Sequence, residues 1–227
     1  MNTGIDPNLF PLFTWMSPSY PVGSFTFSQG LENAIETEII KTVNDTTDWL
    51  ANLLQFGNGY SDLVFLSAAW DCAYETTQVN KLLELAKSYQ ATSEYFLESS
   101  AQGAAFLNIT AKTWPCQPLD ALQKNDTDSP LYPVVVGLAA RGHNIDKSAT
   151  LSAYGHAWLA NLVSAAIRLV PLGQTNGQAI IVALQQTLSD TIVHALETGP
   201  EQLSTSTLMA DICSMHHETQ YTRLFRS

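Results

Sequence analysis

From residue 31 onward the apolar positions recur at steps of three and four, the period of helices that bury one face. Leu31 opens a short helix predicted over 31–42. Asp45 and the threonines after it offer an N-cap for a second helix that buries Trp49, Leu50, Leu53, Leu54 and Phe56. Gly57 and Gly59 interrupt, and Asp62 is read as the cap of a helix through Leu63, Leu66, Trp70 and Ala73. That helix is apolar on most sides and so belongs in the core. Helices follow over 80–90 and 93–112; in the latter Ser99 and Gly103 share a face that admits a close neighbour. Asp146 or Ser148 caps the clearest helix, whose stripe runs Leu151, Tyr154, Gly155, Trp158, Leu159, Leu162, Ala166, Leu169 until Pro171 and Gly173 stop it. A helix over 177–196 places Ile181, Leu184, Leu188, Ile192 and Ala195 in line, and Gly199-Pro200 ends it. Thr205 or Ser206 opens a last helix that reaches about His217.

Breakers divide these elements. Pro7, Pro11, Pro18, Pro21, Gly23 and Gly30 predict an extended, turn-rich segment over 1–30. A second concentration, from Trp114 to Pro130, predicts the main loop. The β-branched run Val134–Val136 has no strand-like segment to pair with, so residues 133–141 are read as helix. The helices on either side of the loop are too apolar to stand alone. The chain is therefore expected to be all-α, a single-domain helical bundle of about nine to ten helices over 1–227.

Charge narrows the partners. Asp and Glu outnumber Lys and Arg by 21 to 10, for a net charge of −11. With no basic run to offset it, nucleic acid is not expected as a partner. The start lacks the charged and apolar regions of a secretory signal. The most apolar run, Leu63 to Ala69, is about a third of the roughly 20 residues a membrane span needs. No membrane association and a cytoplasmic location are expected. Cys72, Cys116 and Cys213 form no CxxC motif and suggest neither a disulfide framework nor a zinc knuckle.

The search for catalytic chemistry returns little. Residues 137–144, GLAARGHN, have the glycine spacing of a phosphate loop but His143 and Asn144 where Lys and Ser/Thr are needed. His216, His217 and Glu218 are adjacent, so their side chains diverge around a helix rather than converge on one ion. They read as polar residues at a helix end. His156, beside Trp158, reads as a packing residue. Ser28 lies in no nucleophile elbow. No enzyme activity, metal site or tightly bound cofactor is expected.

Three segments carry a resemblance. Residues 17–32 (SPSYPVGSFTFSQGLE), 162–174 (LVSAAIRLVPLGQ) and 217–227 (HETQYTRLFRS) resemble the N-terminal signature, central motif and C-terminal tail of UreF-type urease accessory proteins, in the family's order. Gln29 departs from the pattern, since family members commonly carry His there; a hydrogen-bonding role survives the change, an imidazole role does not.

The resemblance implies an all-helical, non-enzymatic homodimer required for maturation of the nickel metallocentre of urease. It implies binding of the UreD/UreH-type accessory protein, recruitment and regulation of the UreG-type GTPase, and access to the urease apoprotein through that complex. A direct nickel-binding metallochaperone is the alternative. The residues assigned to partner binding are Ser28, Gln29, Glu32, Arg168, Gln174, Tyr221, Arg223, Leu224, Phe225 and Arg226. The segment 218–227 mixes aromatic and guanidinium groups, which are enriched in binding hot spots, and is expected to order on the UreD/UreH-type partner. Arg168, in the last turn before Pro171, either complements the helix dipole or touches a partner. Ser28, Gln29 and Glu32 could face the GTPase, while Phe25, Phe27 and Leu31 are simpler as core residues.

Overall fold

The computed structural model of the chain describes residues 8–125, 128–170 and 172–227. Among them are twelve α-helices, two short 3-10 turns and no strand, against the nine to ten helices expected. Two of the extra elements arise where prolines were read as breakers, and a third where one expected helix is bent into two. Helix α1 (Leu9–Trp15) contains Pro11, and its Leu12 and Trp15 are buried, so residues 1–30 are not extended throughout. The first four N–H groups of a helix have no intrahelical partner, so a proline there costs no hydrogen bond.

Helix α2 (Leu31–Glu36) ends sooner than the predicted 31–42. The chain reverses through Glu38 at φ 63°, and the amides of Ile39 and Ile40 both donate to the Ala34 carbonyl. Helix α3 (Val43–Phe56) is capped by Thr42, with Asp45 as the reciprocal partner in a capping box rather than the cap itself. It buries Leu50, Leu53 and Leu54, while Phe56 is exposed. Helix α4 (Asn58–Cys72) starts at Gly57, which leaves Asp62 inside the helix and not at its cap.

Helix α6 (Ser93–Thr113) falls where the sequence placed it, whereas α5 (Thr76–Ser88) begins and ends earlier than the expected 80–90. The predicted loop over 114–130 holds a further helix, α7 (Gln117–Lys124), with Pro118 in its first turn. Gly103 does admit a close neighbour, though not a helix face: a Cβ there would stand 1.9 Å from the Pro130 carbonyl oxygen. Ser99 Oγ accepts the Tyr132 amide at 3.3 Å beside it. This passage leads into α8 (Tyr132–Gly142), whose residues from Pro133 to Ala140 are all buried. The β-branched run is thus helix, and α8 against α4 forms the most extensive packing in the molecule.

Asp146 caps α9 (Lys147–Leu169), its carboxylate accepting the Ala149 amide at 2.8 Å. Pro171, read as its stop, lies outside the described residues. The helix predicted over 177–196 is two, α10 (Gly173–Ala183) and α11 (Gln185–Glu197), bent by 41° at Leu184. The last, α12 (Leu208–His217), follows. Among the described residues no single helix is long and apolar enough to cross a membrane.

The buried apolar residues form two clusters. One centres on α4 and α8, with Leu12 and Trp15 of α1 and Phe106 of α6. The other joins α2, α3, α10 and α12 and includes Phe225. Helix α9 contributes Leu151 and Tyr154 to the first and Leu159 through Ala166 to the second, so one rigid element holds both.

Candidate interaction site around the 218–227 segment

The site begins with a glycine. Gly30 sits at φ 77°, a conformation other residues avoid, and a Cβ would stand 2.9 Å from both the Ala210 carbonyl oxygen and the Ser214 amide nitrogen. Only glycine lets the backbone of α12 pass this close to the start of α2. With Gln29 also left-handed at φ 53°, the chain turns so that Glu32, in the first turn of α2, points inward.

Glu32 is buried and organises the region. Its Oε1 accepts the Leu224 amide at 2.6 Å, and its Oε2 accepts the Phe225 amide at 2.9 Å. The same Oε2 lies 2.9 Å from Nε2 of His217, which is completely buried. On the other side of the ring, Nδ1 lies 2.8 Å and 3.1 Å from the two carboxylate oxygens of Glu94. An imidazole between two carboxylates donates from both nitrogens, which requires its charged form. Burial opposes that charge, but the hydrogen bonds from Glu94 and Glu32 outweigh it and hold the pKa of His217 above the usual histidine value.

Weaker contacts extend the clamp. Asn33 Nδ2 donates to Gln220 Oε1 at 3.1 Å, Ser93 Oγ bonds the carboxylate of Glu218, and Thr92 and Ser214 join hydroxyls at 2.8 Å. Arg223 lies 3.7 Å from Glu94. Two backbone bonds then pair the segment with residues 26–28: Arg226 N–H to the Thr26 carbonyl at 2.7 Å, and Ser28 N–H to the Ser227 carbonyl at 2.5 Å. Arg168 braces both strands of this pairing. Its Nη2 donates to the Phe25 carbonyl at 2.8 Å, and its guanidinium lies 4.3 Å from the centre of the Phe225 ring.

The expected partner-binding residues separate into two groups. Ser28, Glu32 and Phe225 are buried and hold the segment on its own chain, while Gln29, also buried, turns its amide to Glu98 of α6. Arg168, Tyr221, Arg223, Leu224 and Arg226 face outward, Tyr221 fully and Leu224 at 63%. Gln174 is exposed in the first turn of α10. Phe27 and Leu31 are core residues as read, but Phe25 is 62% exposed and belongs with the outward group. His156 is exposed rather than packed.

Sequence reasoning missed Glu94 and His217. A signal for His217 existed: Ala210, Cys213 or Ser214, and His217 continue one buried stripe of α12 at steps of three and four. Glu94 looked like an ordinary acidic residue in a first helical turn. The adjacent His216 is exposed, so the two histidines do diverge. Among the described residues no three His, Cys, Asp or Glu side chains gather as metal ligands.

Comparisons with known proteins identify the family. The family model described as UreF matches residues 40–185. The chain is 40% identical over 221 residues to the urease accessory protein UreF of Bradyrhizobium diazoefficiens, covering 96% of this chain and 91% of that protein. Its counterpart in Rhodopseudomonas palustris is 40% identical over 222 residues, 97% of this chain and 91% of that protein. Urease accessory protein UreF 1 of Brucella canis is 38% identical over 219 residues, 96% of this chain and 94% of that protein. With its three motifs brought together on one helical frame, the chain belongs to the UreF family of urease accessory proteins.

Proposed function

We propose that this chain is a non-catalytic scaffold in maturation of the urease nickel metallocentre. It binds the UreD/UreH-type accessory protein through the outward face of residues 218–227 and brings the UreG-type GTPase to the urease apoprotein as part of that complex. It works in the cytoplasm as a homodimer and a single domain, with no cofactor of its own.

The observation that carries this reading is the buried ion cluster Glu32–His217–Glu94. Fixing a short polar segment on a domain has an entropy cost of about 1–2 kcal/mol per residue. Here that cost is met by two charge-assisted amide bonds and a buried ring, while Tyr221, Leu224, Arg223 and Arg226 are left in solvent. A pre-ordered aromatic, aliphatic and guanidinium surface is a binding surface of low entropic cost.

Size-exclusion chromatography with light scattering tests the reading. The chain alone should run as a dimer, gain mass with the UreD/UreH-type protein, and gain again with the GTPase and guanine nucleotide. A folded chain that gains no mass in either mixture overturns the scaffold role.

A further inference from the structure

A cavity of about 290 Å³ lies where α4, α6 and α9 meet the 16–29 segment and borders the surface described above at Phe25. Its walls are aromatic, with Trp15, Tyr132, Tyr154 and Trp158. Two carboxyl groups line it, Asp62 from α4 and Glu98 from α6. Nothing in the assembly of the 218–227 segment uses either of them.

Their hydrogen bonding is incomplete in one direction. Asp62 Oδ2 accepts the Tyr154 hydroxyl at 2.6 Å. Glu98 Oε1 accepts Gln29 Nε2 at 3.2 Å and Gln102 Nε2 at 3.0 Å. The other oxygen of Glu98 has no partner, and neither does Oε1 of Gln29, although both side chains are more than nine-tenths buried. These two orphaned acceptors stand beside a second carboxyl group, and the residues lining the cavity also carry three unpartnered donors, Trp15 Nε1, Trp158 Nε1 and the Tyr95 hydroxyl. An unsatisfied buried acceptor costs about 1–3 kcal/mol, so such a pair is unusual unless something supplies the missing donors.

We infer that this cavity is a binding site for an organic cation, an alkylammonium or guanidinium group, either as a free small molecule or as the end of a partner's Lys or Arg side chain. The carboxyl groups and the Gln29 oxygen accept its N–H bonds, and the aromatic walls take its alkyl part and the face of its charge. A bare metal ion is the competing ligand: His156 also lines the cavity, but among the described residues no three His, Cys, Asp or Glu side chains are placed together to hold one, and the remaining walls are largely aromatic rings. The elevated pKa values of both carboxyl groups agree with this assignment: burial pushes Asp62 up to about 7 and Glu98 up to about 8, as for carboxylates that lack a counter-charge. The rim includes Ser24 and Phe25, the loop that Arg168 and the 218–227 segment brace, so occupancy would bear on the shape of that surface.

Calorimetric titration of the full chain with n-butylammonium and methylguanidinium chloride, against n-butanol and sodium chloride, tests the site. Saturable binding of either cation is expected, weakened by about tenfold or more in Glu98→Gln and in Asp62→Asn and unchanged in Glu201→Gln, which removes the same charge from the surface. Blocked lysine and arginine amides distinguish the sources. Their binding as well as the simple cations assigns a polypeptide side chain, and their exclusion assigns a small molecule. Absence of saturable binding, affinity in both cavity variants unchanged from the unmodified chain, or binding of n-butanol as strong as n-butylammonium overturns the inference, as does preferential occupation by nickel or zinc. The alcohol comparison uses the unmodified chain and holds even if a variant fails to fold.

Discussion

Nε2 of His217 lies 2.9 Å from Oε2 of Glu32 across 185 residues of chain. That one contact ties the end of α12 to the start of α2. Because the same Glu32 carboxylate accepts the amides of Leu224 and Phe225, it also fixes where the next residues go.

Glu32→Gln should release the 218–227 segment. The amide keeps an acceptor oxygen but removes the charge opposite a buried imidazolium, and breaking a buried pair on one side costs about 3–5 kcal/mol. Urea denaturation should show a loss of that order. Trypsin should cut at Arg223 and Arg226 faster than in the unmodified chain under native conditions.

Stability should fall as pH rises from 5 to 9. His217 has a folded pKa above the roughly 6.5 of an unfolded histidine, so its contribution is complete below about 6.5 and lost as pH rises through the folded value. The carboxyls of Asp62 and Glu98 act in the same sense, since both are raised: the folded state holds their protons up to about 7 and about 8, the unfolded state only to about 4. Urea midpoints at pH 5, 7 and 9 check the sign, and Glu98→Gln should flatten the curve between about pH 5 and about 8, above which both states have lost that proton.

Arg168→Ala should change the surface more than the fold. The guanidinium is exposed, and a cation over an aromatic face at such a site is worth about 0.5–1 kcal/mol. Thermal unfolding should shift by only a few degrees. Hydrogen exchange of the 24–28 amides should rise, since the Phe25 carbonyl loses its donor.

Gly30→Ala should be among the most damaging small substitutions in the chain. The left-handed backbone and the 2.9 Å approach to α12 act together, for a cost of about 2 kcal/mol or more. Circular dichroism with urea titration would register it, and the damage should extend to the docking of residues 218–227.

The sequence made some of this legible and hid the rest for identifiable reasons. Helices α6 and α9 could be read from residue spacing along one face, with Asp146 marking the start of α9, and α8 only because its β-branched run had no strand to pair with. α1 and α7 were hidden because Pro11 and Pro118 sit in first turns, where a proline is harmless, and look the same as breakers. The bend at Leu184 was hidden because neither glycine nor proline marks it and the apolar steps run through it unbroken. In the site, the three motifs named Glu32 and the outward residues of 218–227, but Glu94, His217 and Glu98 acquire their roles only from partners 69 to 185 positions away. No local pattern reports such a pairing.

Under the proposed function, a segment held from beneath presents Tyr221 and Leu224 to the UreD/UreH-type partner. The measurement that tests it most directly is the affinity of a Tyr221→Ala, Leu224→Ala double variant for the UreD/UreH-type protein. Both side chains are exposed, so the variant should unfold at the same urea concentration as the unmodified chain. The account predicts a loss of binding of about tenfold or more, the size expected for hot-spot residues. A double variant that is folded and binds with unchanged affinity would contradict it.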